Sequence, residues 1–228
     1  MMWGYMEDVR SYFQNDLYEK YGKVFGEIWI ATAYKGASGE LAVVTSIEHH
    51  YRNHISWLDV MEEKINKKIV NFKGVAITGW SRYDHFLALC DLLPLAIPSL
   101  IINLKVMQIG PLSEIKKEEI ISKNLGCVGQ IPWSGTDVYG SVVCGFPGHE
   151  VYEAIIPLEN ILRNVKNTLE FVEKYMTPIN LNYGYLHKAR SIECMSRLNS
   201  EYLSLVSYKD DVIKKSSSMY YDETAIEW

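Results

Sequence analysis

Two short apolar runs, each flanked by residues with helical periodicity, constrain the fold of this chain more than any other feature. The runs are residues 28–33 and residues 74–80. Both contain β-branched side chains and neither alternates with polar residues, which is typical of strands buried on both faces of a parallel sheet. Residues 7–22 and 47–69 carry apolar side chains at helical spacing. The amino-terminal half of the chain therefore predicts βα units around a parallel sheet.

The strand signal disappears after Gly110, and the rest of the 228-residue chain is predicted to be mostly helical. The predicted helices are a short charged helix over 114–123 and long amphipathic stretches over 151–176 and 185–215. A further helix is predicted over 83–93, where Pro94 stops it. We therefore divide the chain into an α/β region, residues 1–108, and a helical region, residues 109–228.

Charge and hydropathy exclude two classes of partner. The formal net charge is -5, with no basic stripe, which argues against a nucleic-acid binder. Residues 86–104 are apolar and of membrane-spanning length, but two prolines interrupt them. Prolines at these positions favour two short buried helices over one membrane span. We therefore expect neither a nucleic-acid partner nor a membrane partner.

The cysteine pattern predicts a reducing compartment. The chain contains Cys90, Cys127, Cys144 and Cys194, none of which forms a C-x-x-C pair. This spacing disfavours a zinc site. Four isolated cysteines in a chain of this length favour free thiols over a disulfide framework. We therefore expect a cytoplasmic protein, with the nucleus left open as a second location.

Residues with binding chemistry follow the predicted strands, where ligands meet a parallel sheet. The second strand ends in Trp80, followed closely by Arg82, Tyr83 and Asp84, and Tyr34 ends the first. An indole, a guanidinium, a phenol and a carboxylate together suit a sugar, which needs an apolar wall and charged groups for its hydroxyls. The alternative is a core tryptophan followed by an aspartate that caps the next helix.

A histidine cluster opens the second predicted helix. His50 and His54 lie at i and i+4, so they share one helix face. A metal site is the weaker interpretation, because no third ligand is evident and the glutamate is misplaced for H-E-x-x-H. Packing contacts are favoured, and we predict neither a metal nor another cofactor.

Taken together, several motifs resemble the β-N-acetylhexosaminidases of glycoside hydrolase family 20. The resemblance spans nearly the whole chain. Its motifs are W-I-A-T-A-Y-K-G-A-S-G at 29–39, E-H-H-Y-R-N-H at 48–54, I-T-G-W-S-R-Y-D-H at 77–85, L-L-P at 92–94, I-P-S-L at 97–100 and F-P-G at 146–148.

The resemblance implies the carboxy-terminal portion of a (β/α)8 barrel. On that mapping, residues 3–5 end strand six, residues 28–33 form strand seven and residues 75–80 form strand eight. A complete barrel needs about 250 residues. The expectation is therefore a part of the catalytic barrel over 1–108, followed by the helical region.

The resemblance also implies a retaining, substrate-assisted hydrolysis of terminal N-acetylgalactosamine or N-acetylglucosamine. The 2-acetamido oxygen of the sugar attacks the anomeric carbon, a glutamate protonates the leaving oxygen, and a neighbouring aspartate stabilises the acetamido group. The family carries this Asp-Glu pair on strand four, so we expect it to lie upstream of this chain and predict no catalytic residue here. Glu7 and Asp8 are no substitute, because their order is reversed.

The substrate-binding residues carried over by resemblance are the lining of the pocket. Trp80 matches the tryptophan that forms the apolar floor under the sugar, Tyr5 the tyrosine that binds the acetamido carbonyl, and Trp3 a wall residue. Tyr34, Arg82 and Asp84 are assigned to the sugar hydroxyls. Two positions depart from the family pattern: Arg82 stands where many members have glutamate, and Gly4 replaces an acidic residue.

Two other functions stay open at this point. The chain could be a catalytically dead, truncated product, or its helices over 150–215 could form an interaction module. A homodimer is also left open. Because two parallel strands leave open edges, we expect the isolated chain to have low stability.

Overall fold

The computed structural model describes residues 1–39, 42–84, 86–87, 89–134, 142–185 and 187–227. The described residues form three strands, a short 3-10 helix over Val9–Ser11 and eight α-helices. In chain order the elements are β1 (Met2–Trp3), α1 (Asn15–Phe25), β2 (Glu27–Lys35), α2 (Ile47–Asn66), β3 (Asn71–Gly79), α3 (Leu93–Ile109), α4 (Glu114–Leu125), α5 (His149–Tyr175), α6 (Pro178–Asn182), α7 (Lys188–Ser216) and α8 (Asp222–Glu227).

The three strands form one parallel sheet in the order β1-β2-β3. Trp3 pairs with Ala31, and Ala31 pairs in turn with Ala76. The predicted α/β class and both predicted strands are therefore confirmed. The residue pattern near Trp3 predicts no strand. The structure nevertheless shows a two-residue strand, Met2–Trp3, which pairs with the middle of β2.

The core lies on one face of the sheet. Side chains of β2 alternate between the two faces, so Ile28 and Ile30 share a face, and both pack in a buried cluster with Trp57 of α2. Met2, Val9, Tyr18, Val60 and Val70 complete this cluster. Helix α2 forms because apolar residues recur along one side of it and Ser46 caps its first turn by accepting from the His49 amide.

The segment between β3 and α3 differs from the prediction. We expected a helix over 83–93, and the described part of this range contains none; residues 85 and 88 lie outside the described residues. The helix begins at Leu93 instead, because Pro94 fits the first turn, where its missing N–H needs no partner. The two short helices expected within 86–104 are likewise wrong: a single helix, α3, runs through Pro98.

The cysteine prediction is wrong for one pair. Cys127 and Cys144 form a disulfide, with their Cα atoms 3.9 Å apart. An antiparallel bridge between Val128 and Val143 aligns the two cysteines, a pairing that their spacing in the sequence does not signal. Cys90 and Cys194 are free and buried. Cysteine usage therefore no longer supports a reducing compartment.

The chain divides into two compact units: residues 1–149 with 227–228, and residues 150–226. The second unit is built from α5, α6, α7 and most of α8. Within it, the Arg197 guanidinium lies 5.2 Å from the Phe171 ring and so joins α7 to α5. Among the described residues, no helix has the length and apolar character that crossing a membrane requires.

Candidate functional site

The carboxyl ends of all three strands meet at one edge of the sheet, as expected for parallel strands. Trp3 ends β1, Lys35 ends β2, and Trp80 follows the last residue of β3. A cavity of about 470 Å³ opens at this edge. It is lined by Trp3, Gly4, Tyr5, Met6, Tyr12, Ala37, Trp80, Arg82 and Tyr83. Ligands of parallel α/β sheets bind at this position.

An aromatic wall dominates this pocket. The ring centroid of Trp80 lies 5.9 Å from that of Trp3 and 6.1 Å from that of Tyr5. The indole of Trp80 is 37% exposed and that of Trp3 is 52% exposed, so both present apolar surface to the cavity. Such a wall can pack against the C–H face of a sugar ring.

The hydroxyl of Tyr5 is a polar group of this wall that is shielded from solvent. Its oxygen has no hydrogen-bond partner among the described residues. A shielded hydroxyl without a partner loses the hydrogen bond it would make in water. It is therefore available to donate to a ligand that enters the pocket.

Helix α2 holds the strand end that carries this wall. The His49 ring contacts the Tyr5 carbonyl at 2.9 Å. The Asn53 amide donates to the carbonyls of Gly4 (3.0 Å) and Met6 (2.6 Å). Trp57 donates to the Gly4 carbonyl at 2.9 Å.

The three helix residues lie at i, i+4 and i+8, on one face of α2. Asn53 and Trp57 are not among the predicted site residues, although their helical spacing from His49 indicates a shared face. Gly4 is required where it stands, because a Cβ atom there would lie 2.7 Å from the Phe13 ring and 2.8 Å from Trp57. The acidic side chain expected at this position from the family pattern has no room.

Arg82 lines the pocket as half of an ion pair. Its guanidinium contacts both carboxylate oxygens of Glu227, at 2.5 and 2.9 Å, and donates to the Leu87 carbonyl at 2.6 Å. The pairing raises the pKa of Arg82 and lowers the pKa of Glu227. No local pattern of residues indicates this partner, which lies 145 positions away in the chain.

Tyr34 and Asp84 do not line the pocket. The Tyr34 ring covers Gly79, where a Cβ atom would lie 2.7 Å from it, and burial raises the pKa of the phenol. Asp84 accepts a hydrogen bond from the Phe86 amide at 2.8 Å and closes a turn. The structure thus brings together Trp3, Tyr5, Trp80 and Arg82 of the six predicted residues. Contact of any of them with substrate stays a prediction.

Among the described residues that line the pocket, none is an aspartate or a glutamate. The neighbouring acidic residues are engaged in structural contacts. Glu7 contacts His49 at 3.5 Å and Arg52 at 3.3 Å, and Asp8 caps the 3-10 helix by accepting from the Arg10 amide. The lining among the described residues therefore offers no carboxyl group as a general acid.

His50 and His54 lie in the core rather than in the pocket. The ring of His54 contacts Thr32 Oγ1 at 2.9 Å and the His50 carbonyl at 2.8 Å. Burial lowers the pKa of His54 to about 4 and, with the neighbouring histidines, lowers the pKa of His50 to about 3. Both side chains are therefore neutral at pH 7, and the His54 ring joins α2 to β2.

Comparison with known proteins gives two relatives of one name. The chain is 28% identical to human hexosaminidase D over 233 aligned residues, which cover all of this chain and 46% of the relative. It is 40% identical to hexosaminidase D of Bos taurus over 121 residues, which cover 53% of this chain and 34% of that protein. No family model matches.

The chain thus spans about half the length of the human relative. The match to the bovine relative covers about a third of that protein. Because the human match covers all of this chain, the aligned region contains the segments on which the predicted resemblance rests. The strand ends that form the aromatic pocket lie within it as well. The relationship predicted from those motifs is therefore confirmed: this chain is similar to hexosaminidase D.

Proposed function

We propose that this chain supplies the sugar-binding wall of a β-N-acetylhexosaminidase, a glycoside hydrolase that releases terminal N-acetylgalactosamine or N-acetylglucosamine. The observation that carries the proposal is the aromatic wall of Trp3, Tyr5 and Trp80 at the carboxyl ends of three parallel strands. Similarity to hexosaminidase D over the whole chain supports the choice of sugar.

In this proposal residues 1–108 belong to a (β/α)8 barrel and residues 109–228 form the helical region after it. The strand order supports a barrel, because consecutive strands are neighbours and no reversal of order occurs among β1, β2 and β3. The core cluster lies on one face of the sheet, as the outer layer of a barrel does. The opposite face would then point into the barrel interior.

The roles of the side chains follow from their chemistry. The Trp80 indole packs under the sugar ring, and the free Tyr5 hydroxyl donates to the carbonyl oxygen of the 2-acetamido group. That hydrogen bond fixes the acetamido oxygen for attack on the anomeric carbon, which gives a retaining, substrate-assisted reaction. Arg82, paired with Glu227, offers a charged group to the hydroxyls at the rim.

The general acid and the carboxylate that stabilises the acetamido group come from polypeptide outside this chain. An alkoxide leaves poorly, so a protonated carboxyl group is needed at the glycosidic oxygen. The described pocket lining contains no carboxyl group. We therefore expect the 228-residue chain to be inactive by itself. The location is proposed to be the cytoplasm, on the family resemblance alone.

The test is a joined protein, in which the part of human hexosaminidase D outside the match is fused to this chain in the order of the relative. It is assayed with the 4-nitrophenyl β-glycosides of N-acetylgalactosamine and N-acetylglucosamine. We expect turnover of at least one substrate, and a loss of kcat/KM of about tenfold or more in Trp80→Ala, because a misplaced sugar reacts slowly.

The control is Phe86→Ala, which removes an exposed aromatic side chain from the same loop but not from the pocket lining. It should leave kcat/KM unchanged. A folded joined protein that cleaves other aryl glycosides but neither N-acetylhexosaminide contradicts the proposed function.

A second candidate function is an interaction module in the helical unit. On α7, four exposed apolar side chains recur at spacings of three, four and seven residues: Ile192, Met195, Tyr202 and Val206. A stripe of this kind is typical of a surface that packs against another helix. Met195→Lys in the joined protein should leave turnover unchanged if the stripe serves only an interaction.

A further inference from the structure

Lys35, the last residue of β2, has a buried ammonium group directly behind the pocket. The residue is 4% exposed. Its Nζ atom donates to the Trp80 carbonyl at 2.5 Å and to Ser81 Oγ at 3.2 Å. Burial of a charged amine is unfavourable without compensating contacts. These two hydrogen bonds compensate the burial of the Lys35 charge, and their position beside Trp80 suggests what the lysine does.

Residues 35 and 36 hold the backbone of Trp80 from several sides. The Trp80 amide donates to the Lys35 carbonyl at 3.1 Å, while the Trp80 carbonyl accepts from the Lys35 ammonium. Gly36 has a φ of +68°, and a Cβ atom there would lie 2.6 Å from the Trp80 carbonyl oxygen. The backbone that carries the indole is thus fixed both by hydrogen bonds and by close packing.

A second buried charge stabilises this arrangement. Asp91 is buried and accepts from the Gly36 amide at 2.6 Å and from Thr45 Oγ1 at 3.0 Å. Burial lowers the pKa of Lys35, and the charge of Asp91 opposes that shift. Burial raises the pKa of Asp91, and the charge of Lys35 is among the groups that oppose it. Each group therefore favours the charged form of the other.

The same contacts fix the root of the loop that lines the pocket. The Cys90 amide donates to the Ser81 carbonyl at 2.9 Å and closes the loop between them. This loop carries Arg82 and Tyr83, which line the pocket together with Trp80. The ammonium of Lys35 binds the beginning of the loop, and the amide of Gly36 binds Asp91 at its end.

We propose that Lys35 is a positioning residue for the sugar site: its ammonium holds the Trp80–Ser81 turn and so sets the orientation of the Trp80 indole. The inference rests on the proposed function for its ligand, a terminal N-acetylhexosamine. The orientation of the indole itself can be measured without any ligand.

The experiment is 19F NMR of the full 228-residue chain labelled with 5-fluorotryptophan. The chain has six tryptophans, and Trp80→Phe identifies the resonance of Trp80. We expect Lys35→Met to shift the Trp80 resonance by more than its linewidth, because the carbonyl of Trp80 loses its charged donor. The resonance of Trp57, which is fully buried in the core, should stay in place and report an intact fold.

The matched control is Lys73→Met, which removes an exposed lysine from β3 at the end of the sheet away from the pocket. It should move neither resonance. If Lys35→Met abolishes the Trp57 resonance, the chain has unfolded and Lys35→Gln decides, since its neutral amide keeps a donor but removes the charge. An unchanged Trp80 resonance in the variant that folds overturns the proposal.

The link to function is tested in the joined protein with a double-mutant cycle. Lys35→Met and Trp80→Phe should each raise KM about tenfold, because a displaced indole no longer positions the sugar. Their effects should not add, because Lys35 acts through Trp80. Additive losses would indicate a structural role only and would overturn the proposal.

The outcomes separate this inference from the proposed function. If Lys35→Met shifts the Trp80 resonance of the 228-residue chain but the joined protein has no N-acetylhexosaminidase activity, the proposed function is overturned. The positioning of Trp80 by Lys35 is then still supported. If turnover by the joined protein depends on Trp80 but Lys35→Met leaves the Trp80 resonance unchanged, the positioning role is overturned. The proposed function is then still supported.

Discussion

The two faces of the small sheet differ in what covers them. On one face Ile28, Ile30 and Trp57 are buried in a continuous core against α2. On the other, Trp3 and Trp29 remain about half exposed, although the small side chains of Ala31 and Ala33 are buried. No residue of β3 is fully buried. Parallel sheets normally have both faces covered.

The difference in coverage assigns different roles to the two faces: one stabilises the fold and the other presents a surface for binding. The covered face supplies the hydrophobic stabilisation of the first unit, and through α2 it also anchors the strand end that carries Trp3 and Tyr5. The open face and its carboxyl edge present aromatic surface. Under the proposed function that surface lines a barrel interior and a sugar pocket. Three predictions test this contrast.

The largest effect is expected for Trp57→Ala on the covered face. The substitution removes a fully buried indole and its hydrogen bond to the Gly4 carbonyl. We expect the free energy of unfolding to fall by about 3–5 kcal/mol, which would leave a chain of low stability largely unfolded. Urea unfolding followed by circular dichroism measures the change. A loss below about 1 kcal/mol, the range of surface substitutions, would contradict the covered core.

A smaller effect per side chain is expected from acid on the same face. The folded pKa values of His50 and His54 are lowered to about 3 and about 4, below the unfolded value near 6.5. The unfolded chain therefore binds protons first as the pH falls. Stability is complete above pH 6.5 and is lost between about pH 6.5 and 3, by about 2 kcal/mol for each histidine at pH 5.

Urea unfolding at pH 7 and at pH 5 measures this loss. His54→Gln should reduce the difference between the two pH values, because one of the two buried imidazoles is gone. An equal loss of stability in His54→Gln and in the unsubstituted chain would show that His54 does not carry the acid sensitivity.

The smallest effect is expected for Trp29→Ala, the same chemical change as Trp57→Ala but on the open face. Trp29 is 47% exposed and rests on Gly74. In the isolated chain the free energy of unfolding should change by only about 1 kcal/mol. In the joined protein, where the barrel covers this face, the loss should approach 3 kcal/mol. Equal losses in the two proteins would contradict a buried barrel interior.

Much of the site was predictable because a parallel sheet brings strand ends to one edge. Trp80 is far from Trp3 and Tyr5 in the sequence, yet the family resemblance already assigned all three to the ends of neighbouring strands. Tyr34 lies one residue before the end of β2, but its ring packs on Gly79, and a strand boundary does not specify to which side a side chain near it turns. Asp84 was expected near a helix start, and the helix begins nine residues later.

Local residue patterns predicted β2, β3 and the long helices α2, α5 and α7, because periodicity and turn residues act over short range, but they predicted neither β1 nor the bounds of α3. The motifs also predicted the similarity to hexosaminidase D. Tertiary structure alone decided the contacts between distant residues: the Arg82–Glu227 pair, the Cys127–Cys144 disulfide and the hold of Lys35 on Trp80. Such contacts depend on how whole helices and strands pack against one another. No local pattern of residues specifies which distant residues that packing brings together.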